Sequence, residues 1–281
     1  MKRRTKSSPP SDSPKVAVVG TGYWGQNHVR NFHALGALSH LCDADPQTLH
    51  LMGSQYPQVA RTESYQEILD NPAIRGIVIA SPAATHYELA AKGIKAGKDV
   101  LVEKPLALNS RDGETLVELA AKHNRILMVG HILLYHPAVI KLKELIHNGD
   151  LGRIHYVQSN RLSMGKVRSE ENILWSFAPH DISMILYLLE DFPTGVRASG
   201  YCHLQRDIED VTISILDFSD GVGAHIYVSW MNPFKEHRLV VIGDEKMAVF
   251  EDSSPDHKLK LFHHNFRWRG RRPVPVKGPE E

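Results

Sequence analysis

The chain has 281 residues, 42% of them hydrophobic, and a formal net charge of +1. This composition excludes binding to nucleic acid or to a membrane surface through overall charge, and the length favours two domains. Cys42 and Cys202 provide neither a disulfide framework nor a zinc-binding spacing, which suits a reducing cytoplasm. No stretch approaches the roughly 18 apolar residues that cross a bilayer.

The first half of the chain has the pattern of a parallel α/β domain. Residues 1–14 are basic and then rich in Ser and Pro, which predicts a disordered tail rather than a signal peptide. From residue 15 to 130, apolar runs alternate with helical patterns, as in a doubly wound, Rossmann-type domain. The predicted strands are Lys15–Val19, Ala37–Cys42, Gly76–Ala80, Lys98–Val102 and Arg125–Val129, and the predicted helices are Tyr23–Leu35, Pro46–Gln55, Ser64–Leu69, Thr85–Ala96 and Ser110–His123.

The second half has a different pattern. After a predicted helix at Pro137–His147, long strands follow one another with turns between them, and one helix at His180–Leu189 interrupts them. Residues 131–281 are therefore predicted to form an α+β domain with a large, mainly antiparallel open sheet. The predicted strands are Arg153–Arg161, Val196–His203, Asp210–Phe218, Val222–Trp230, Arg238–Gly243 and Met247–Glu251.

A glycine-rich turn follows the first strand and precedes the first helix. The sequence VAVVGTGYWG contains G-x-G-x-x-G in the context that a dinucleotide site requires. Gly20 permits the tight turn, Gly22 lets the backbone approach a pyrophosphate, and Gly25 lets helix and strand pack closely. Asp43 ends the second strand, where it can bond ribose hydroxyls and repel a 2′-phosphate, which favours NAD over NADP. The alternative is that the glycines serve only the turn and Asp43 caps the next helix.

A lysine before a proline ends the predicted strand in DVLVEKP. Because ligands of open α/β sheets lie beyond the carboxyl ends of the strands, Lys104 is placed to face the nicotinamide. Pro105 biases Lys104 towards an extended conformation. The alternative is a solvated lysine that pairs with Glu103.

A histidine stands at the predicted start of an apolar helix in NILWSFAPHD. An imidazole titrates near neutral pH, so His180 could take a hydroxyl proton as hydride leaves the adjacent carbon. The alternative is that His180, between Pro179 and Asp181, only completes a helix cap.

These segments together resemble one enzyme family over almost the whole chain. The matching segments are GTGYWGQNHVRNF, IASPAATHYELAAKGIKAGKDVLVEKPLALN, GHILLYHPAV, LGRIHYVQSNR and LWSFAPHDISMILYLL. In this order they resemble the glucose–fructose oxidoreductase, inositol dehydrogenase and rhizopine-catabolism (Gfo/Idh/MocA) family of dehydrogenases. The resemblance implies that Lys104 and His180 are the catalytic pair, that the second domain carries the substrate pocket, and that the Lys104–Pro105 bond is cis.

The resemblance also implies the wider sets of binding residues. For His86 and His136, the alternative to ligand binding is a core or capping role. For Arg161, Lys166 and Arg168, the alternative is an exposed basic loop that binds nothing. The implied cofactor-binding residues are Gly20, Gly22, Tyr23, Trp24, Gly25, Asp43, Ser81, Pro82, His86, Glu103 and Lys104, and the implied substrate-binding residues are Tyr135, His136, Arg161, Lys166, Arg168, Ser176 and Asp181.

Within the family, the chain is most similar to dehydrogenases that oxidise C3 of nucleotide-linked N-acetyl hexosamines or their uronic acids. A sugar diphosphate could be met by the basic residues of the loop before Glu170. The resemblance further implies a homodimer or homotetramer that pairs through the second sheet.

The chain departs from the family's pattern in two places. Many members carry Asp four residues before the catalytic histidine, whereas this chain has Ser176, which cannot supply a charge that raises the pKa of His180. Relatives usually continue into a closing helix beyond the last predicted strand, and we expect this helix to be absent here.

Two further sites are disfavoured, and two classes of function remain. None of the 17 histidines forms the i, i+4 pair with a nearby Glu that a zinc hydrolase needs. The basic segment Arg267–Arg272 favours an exposed hairpin or tail over a nucleic-acid contact.

The first function is an NAD-dependent sugar dehydrogenase, acting on a nucleotide sugar or on free sugars or inositols. The second is a dinucleotide-sensing regulator that has lost turnover.

Overall fold

The computed structural model describes residues 14–281. The predicted disordered tail therefore lies, for residues 1–13, outside the described residues. The described part of the chain divides after Gly130 into two compact units, and each unit contains one β-sheet.

The first unit contains a parallel sheet. Its strand order is β3-β2-β1-β4-β5-β6, so the order reverses between β1 and β4, as in a doubly wound nucleotide-binding domain. This confirms the predicted fold class. The strands are β1 (Lys15–Val19), β2 (Leu38–Cys42), β3 (Ala60–Thr62), β4 (Ile74–Ile79), β5 (Asp99–Val102) and β6 (Leu127–Val129), and the helices are α1 (Gly25–Ala34), α2 (Pro46–Gln55), α3 (Tyr65–Asp70), α4 (His86–Lys95) and α5 (Ser110–Lys122).

Both faces of this sheet are covered. In β1, Ala17 and Val19 belong to one apolar cluster and Val18 to another, and Ile77 and Val78 of β4 divide in the same way. A strand buried on both faces reads as a continuous apolar run, which is why these strands are recognisable in the sequence. Each such Val or Ile contributes about 1.5–3 kcal/mol by leaving water. The two clusters thus fix the sheet edge at which the glycine turn lies.

The second unit contains an eight-stranded sheet in the order β14-β13-β12-β11-β7-β10-β9-β8. Only the β7–β10 pair is parallel, and all other neighbours are antiparallel, as predicted. The helices are α6 (Pro137–His147) and α7 (Ile173–Leu189), and the strands are β7 (Ile154–Leu162), β8 (Gly195–Tyr201), β9 (Val211–Asp217), β10 (Gly223–Ser229), β11 (Glu236–Gly243), β12 (Met247–Glu251), β13 (Leu259–Arg269) and β14 (Arg272–Glu280).

One face of this sheet packs against α6 and α7, and the other is open. Along β9, Ser214 and Leu216 are buried while Ile213 and Ile215 on the opposite face are exposed. Trp230 and Phe250 lie in the core between the sheet and the helices. No helix in residues 14–281 combines the length and the apolar character needed to span a bilayer.

Two element predictions in the second unit are wrong. Helix α7 begins at Ile173, seven residues before the predicted start, because the Asn172 side chain caps it by accepting from Trp175 N at 3.1 Å. Strands β13 and β14 were not predicted. The prolines of β14 argue against a strand, but β14 is an edge strand, where a residue without an N–H is tolerated. Residues 267–272 form the exposed tip of this hairpin, as the sequence favoured.

Candidate functional site

The three glycines of the turn after β1 meet different surroundings. Gly20 has a φ of +83°, and a Cβ there would lie 2.6 Å from Ser81 N. A Cβ on Gly25 would lie 1.9 Å from Gly20 O. A Cβ on Gly22 would meet no atom within 4 Å. The fold therefore requires glycine at positions 20 and 25, whereas Gly22 leaves open space for an approaching ligand.

The amino end of α1 carries the positive end of the helix dipole, and its first turn contains no acidic side chain. Trp24 is the N-cap residue and makes no side-chain capping bond. The helix dipole and the N–H groups of this turn favour an anion such as a pyrophosphate. The open space at Gly22 and this helix end together fit the phosphates of NAD.

Asp43 fastens the glycine turn to the end of β2. Its Oδ2 accepts hydrogen bonds from Thr21 N at 2.6 Å and Thr21 Oγ1 at 3.1 Å. Helix α2 is capped instead by Asp45, which accepts from Gln47 N and Thr48 N. The alternative that Asp43 caps this helix is therefore wrong. Its contact with the cofactor ribose stays a prediction.

Glu103 joins the glycine turn to the segment of Lys104. Its Oε1 accepts from Trp24 Nε1 at 2.6 Å and from His28 Nε2 at 2.7 Å, and its Oε2 accepts from the backbone N–H of Lys104 at 3.2 Å. Burial by itself raises the pKa of Glu103, but the hydrogen bonds from His28 and Trp24 outweigh it and leave the pKa below its ordinary value. A buried carboxylate thus joins the predicted cofactor residue Trp24, the unpredicted His28 and the backbone of Lys104 in one network.

His86 connects the ends of two neighbouring strands. The Lys104–Pro105 bond is cis, as the resemblance implied. The buried ring of His86 lies between two backbone carbonyls, with Nδ1 2.7 Å from Pro105 O and Nε2 2.9 Å from Ser81 O. Ser81 also meets Thr85 through their hydroxyls at 2.7 Å. His86 therefore fixes the backbone on both sides of the predicted cofactor site, and direct contact with NAD stays a prediction.

The predicted base lies inside a helix. His180 is half-buried in α7, two turns after the helix begins, so the alternative that it caps this helix is wrong. Ser176 is buried one turn earlier, and residues four apart share a helix face. Ser176 and His180 therefore lie on one side of α7.

Arg161 and Asp181 differ from their predicted setting. Arg161 belongs to β7 and not to the basic loop, and only 6% of it is exposed. Its Nε donates to Asp181 Oδ2 at 2.8 Å and its Nη2 to Asp181 Oδ1 at 3.2 Å. Ser159 Oγ also donates to Asp181 Oδ1, at 2.7 Å. Buried charges require such partners, so the hydrogen-bonding groups of Arg161 and Asp181 are engaged with each other.

The remaining predicted substrate residues are more exposed. Lys166 and Arg168 lie in the exposed loop after β7 and could meet an anion. Tyr135 is exposed, whereas His136 caps α6, because its Nδ1 accepts from Ala138 N at 3.1 Å. The capping alternative for His136 is thus the one that the contacts support. Two predicted cofactor residues are exposed as well, namely Tyr23, almost fully, and Pro82.

Sequence reasoning missed four residues that hold the predicted ones in place. They are Thr21, His28, Ser159 and His237. Thr21 and His28 lie within the glycine-turn segment. Their polar side chains next to the motif could have indicated hydrogen bonds that hold the turn. Ser159 and His237 had no such signal, because their partners are distant in sequence.

Comparison with known proteins identifies both units. Residues 14–131 match the model of the Gfo/Idh/MocA oxidoreductase family with its NAD-binding Rossmann fold, and residues 139–249 match the Gfo/Idh/MocA C-terminal domain.

Individual relatives act on different substrates. UDP-N-acetylglucosamine 3-dehydrogenase of Acidithiobacillus ferrooxidans is 24% identical over 250 residues, which are 89% of this chain and 77% of that protein. The NAD(+)-dependent scyllo-inositol 2-dehydrogenase of Bacillus subtilis is 26% identical over 251 residues, 82% of this chain and 72% of that protein. GenD2 from gentamicin A biosynthesis, solved in complex with NAD, superposes with a TM-score of 0.81 at 26% identity, covering 88% of this chain and 75% of GenD2.

Proposed function

Since the chain belongs to the Gfo/Idh/MocA family of oxidoreductases, whose Rossmann unit binds NAD, we propose that it oxidises a secondary hydroxyl of a sugar. We further propose that this hydroxyl is at C3 of a nucleotide-linked N-acetyl sugar. Lys104 and His180 act on it as the catalytic residues.

The position of Lys104 carries the proposal. Lys104 follows β5 at the carboxyl edge of the parallel sheet, the same edge at which the glycine turn follows β1. Glu103 accepts hydrogen bonds from Trp24 of that turn and from the backbone N–H of Lys104, so the backbone of the lysine is fixed next to the predicted cofactor site. A lysine fixed beside a dinucleotide site can polarise a hydroxyl that is about to lose hydride.

The two residues divide the proton chemistry between them. The Lys104 ammonium donates a hydrogen bond to the substrate hydroxyl oxygen and stabilises the negative charge that develops there. The neutral imidazole of His180 removes the hydroxyl proton, and this proton later passes to solvent. When bound, NAD+ would supply the hydride acceptor for the carbon that bears this hydroxyl. The alcohol thereby loses two electrons and two hydrogens and becomes a ketone.

A nucleotide sugar is supported by the exposed basic loop after β7. Lys166 and Arg168 are exposed and can donate charge-assisted hydrogen bonds to a diphosphate. The relative from Acidithiobacillus ferrooxidans acts on UDP-N-acetylglucosamine. Inositol dehydrogenases are equally similar, so oxidation of an inositol is the second candidate.

The test is oxidation of a substrate panel with NAD+, followed by absorbance near 340 nm. The panel contains UDP-N-acetylglucosamine, its uronic acid, free N-acetylglucosamine, myo-inositol and scyllo-inositol. Turnover of the UDP-sugars alone supports the proposal. Turnover of inositols alone would replace the substrate and keep the reaction. Tight NAD binding without turnover of any member would instead favour the regulator.

Variants test the two catalytic roles. Lys104→Ala and His180→Ala are each expected to lower kcat by about 10²–10⁴-fold, the usual range for a lost acid–base or polarising group. Lys95→Ala and His155→Ala change exposed residues of the same types in the same units and are the matched controls. Wild-type turnover in both catalytic variants would disprove the assignment.

A further inference from the structure

Asp181 occupies a position on α7 that a core residue would normally fill. Only 1% of it is exposed, and it lies on the helix face that packs against the sheet. A charge at such a position is costly unless it is paired. Its buried neighbours on α7 are otherwise mostly apolar, namely Ile173, Ala178, Met184, Ile185 and Leu188.

The partners of Asp181 stand two residues apart on one strand. Ser159 and Arg161 of β7 both point to the buried face and together supply three hydrogen bonds to the Asp181 carboxylate. A two-residue spacing places both side chains on the same side of a strand. The cluster therefore ties one residue of α7 to one position along β7.

A second strand, β11, contacts Arg161. Its Nη1 lies 3.2 Å from Nδ1 of His237 on β11. A guanidinium only donates, so this contact requires an unprotonated Nδ1 and a neutral imidazole. Burial lowers the pKa of His237, which agrees with a neutral ring. The rings of His237 and Phe177 on α7 also approach edge to face, at 6.5 Å.

The helix is weak at the turn that this cluster supports. Pro179 lies inside α7 and cannot donate a hydrogen bond to the carbonyl of Trp175. His180 follows directly, and its own carbonyl accepts from Ser183 Oγ at 2.9 Å. The local backbone therefore fixes His180 less firmly than an unbroken helix would.

We propose that the cluster of Ser159, Arg161 and Asp181 fixes the rotation and register of α7 and thereby positions His180. The inference rests on the proposed function and replaces the prediction that Arg161 and Asp181 contact substrate. Apolar packing is non-directional and permits neighbouring registers, whereas a buried, hydrogen-bonded ion pair has one geometry. Arg161 and Asp181 are positioning residues and act through the histidine.

The experiment removes the cluster in steps. Arg161→Met combined with Asp181→Leu replaces both charges with apolar groups of similar volume, which buried sites tolerate better than a single unpaired charge. Ser159→Ala removes one hydrogen bond only. Arg197→Met is the control, because it deletes an exposed ion pair with Asp217 in the same sheet, 3.1 Å long.

Two readouts separate positioning from general stability. The first is kcat with the panel member that the wild-type protein oxidises, together with the Kd for NAD. The second is the ¹⁵N spectrum of histidine-labelled protein, in which His180 is assigned by its loss in His180→Gln. The spectrum needs no turnover, so it tests the positioning even if the proposed function fails.

For the double variant we expect a folded protein, an NAD Kd within twofold of wild type, kcat lower by about 100-fold and displaced His180 resonances. For Ser159→Ala we expect about a fivefold loss of kcat with a smaller displacement. Wild-type His180 resonances in a folded double variant would overturn the proposal. If the double variant does not fold, an unchanged spectrum for Ser159→Ala would overturn it equally.

Discussion

Substituting Gly22 and Gly25 separately distinguishes a ligand-imposed glycine from a fold-imposed one. A methyl group on Gly22 would meet no protein atom within 4 Å, and Gly22 is not among the glycines with positive φ. Gly22→Ala should therefore change the free energy of unfolding by no more than about 0.5 kcal/mol. The same methyl would occupy space that a pyrophosphate needs, so we expect the NAD Kd to rise about 10–100-fold, or about 1.4–2.8 kcal/mol.

Gly25→Ala should have the opposite outcome. Its methyl would lie 1.9 Å from Gly20 O and 2.9 Å from Gly20 C, both of them backbone atoms that cannot rotate away. Overpacking of this kind costs about 3 kcal/mol, the upper end of the usual range. At about 3 °C per kcal/mol, the Tm should fall by about 10 °C.

The assay combines thermal unfolding with calorimetric titration of NAD. The matched control is Gly113→Ala in α5, where the nearest atom to the new methyl would be Leu106 Cδ2 at 4.0 Å. This control should keep NAD affinity and gain up to about 1 kcal/mol of stability, because alanine favours helix. Wild-type NAD affinity in Gly22→Ala would refute the cofactor assignment of the turn. A wild-type Tm in Gly25→Ala would refute the close packing of helix and strand.

Two further predictions concern the titratable groups. Glu103→Gln should lower the Tm and weaken NAD binding. Three donors converge on the two carboxylate oxygens, so the N–H₂ of the new amide must face at least one donor, which costs about 1–3 kcal/mol. Glu88→Gln, which loses only an exposed ion pair, should leave the Tm and the NAD affinity unchanged. Burial lowers the pKa of His237, as it does those of His40 and His225, so the unfolded chain takes up protons first as the pH falls. The free energy of unfolding should then decline as the pH falls below the ordinary histidine pKa of 6.5. His237→Gln should reduce the difference in Tm between pH 7.5 and 5.5. A wild-type Tm that rises on acidification would contradict the predicted direction.

Local sequence determined the elements that carry the cofactor site. The apolar runs of β1 and β4 are buried on both faces, and glycine spacing, which depends on a few adjacent residues, specifies the turn before α1. The identity of Lys104 and His180 as candidates followed from short motifs. These signals need no knowledge of what lies across the fold.

Element bounds in the second unit were harder to predict, because local preferences were outweighed there. Pro179 reads as a helix boundary, yet α7 continues through it under the cap of Asn172. Prolines in β14 argue against a strand, yet the edge of the sheet accepts them. In both cases packing in the folded chain outweighed a residue's intrinsic preference.

Only the tertiary structure decided which polar side chains meet. Glu103 contacts Trp24 and His28, which precede it by 79 and 75 residues, and Arg161 contacts Asp181 across 20 residues. Burial then requires each charge to find a partner, and the partner is whichever residue the strand order and helix rotation bring near. The sequence alone therefore determined which residues are candidates for the chemistry, while the packing of strands and helices determined what holds them in place.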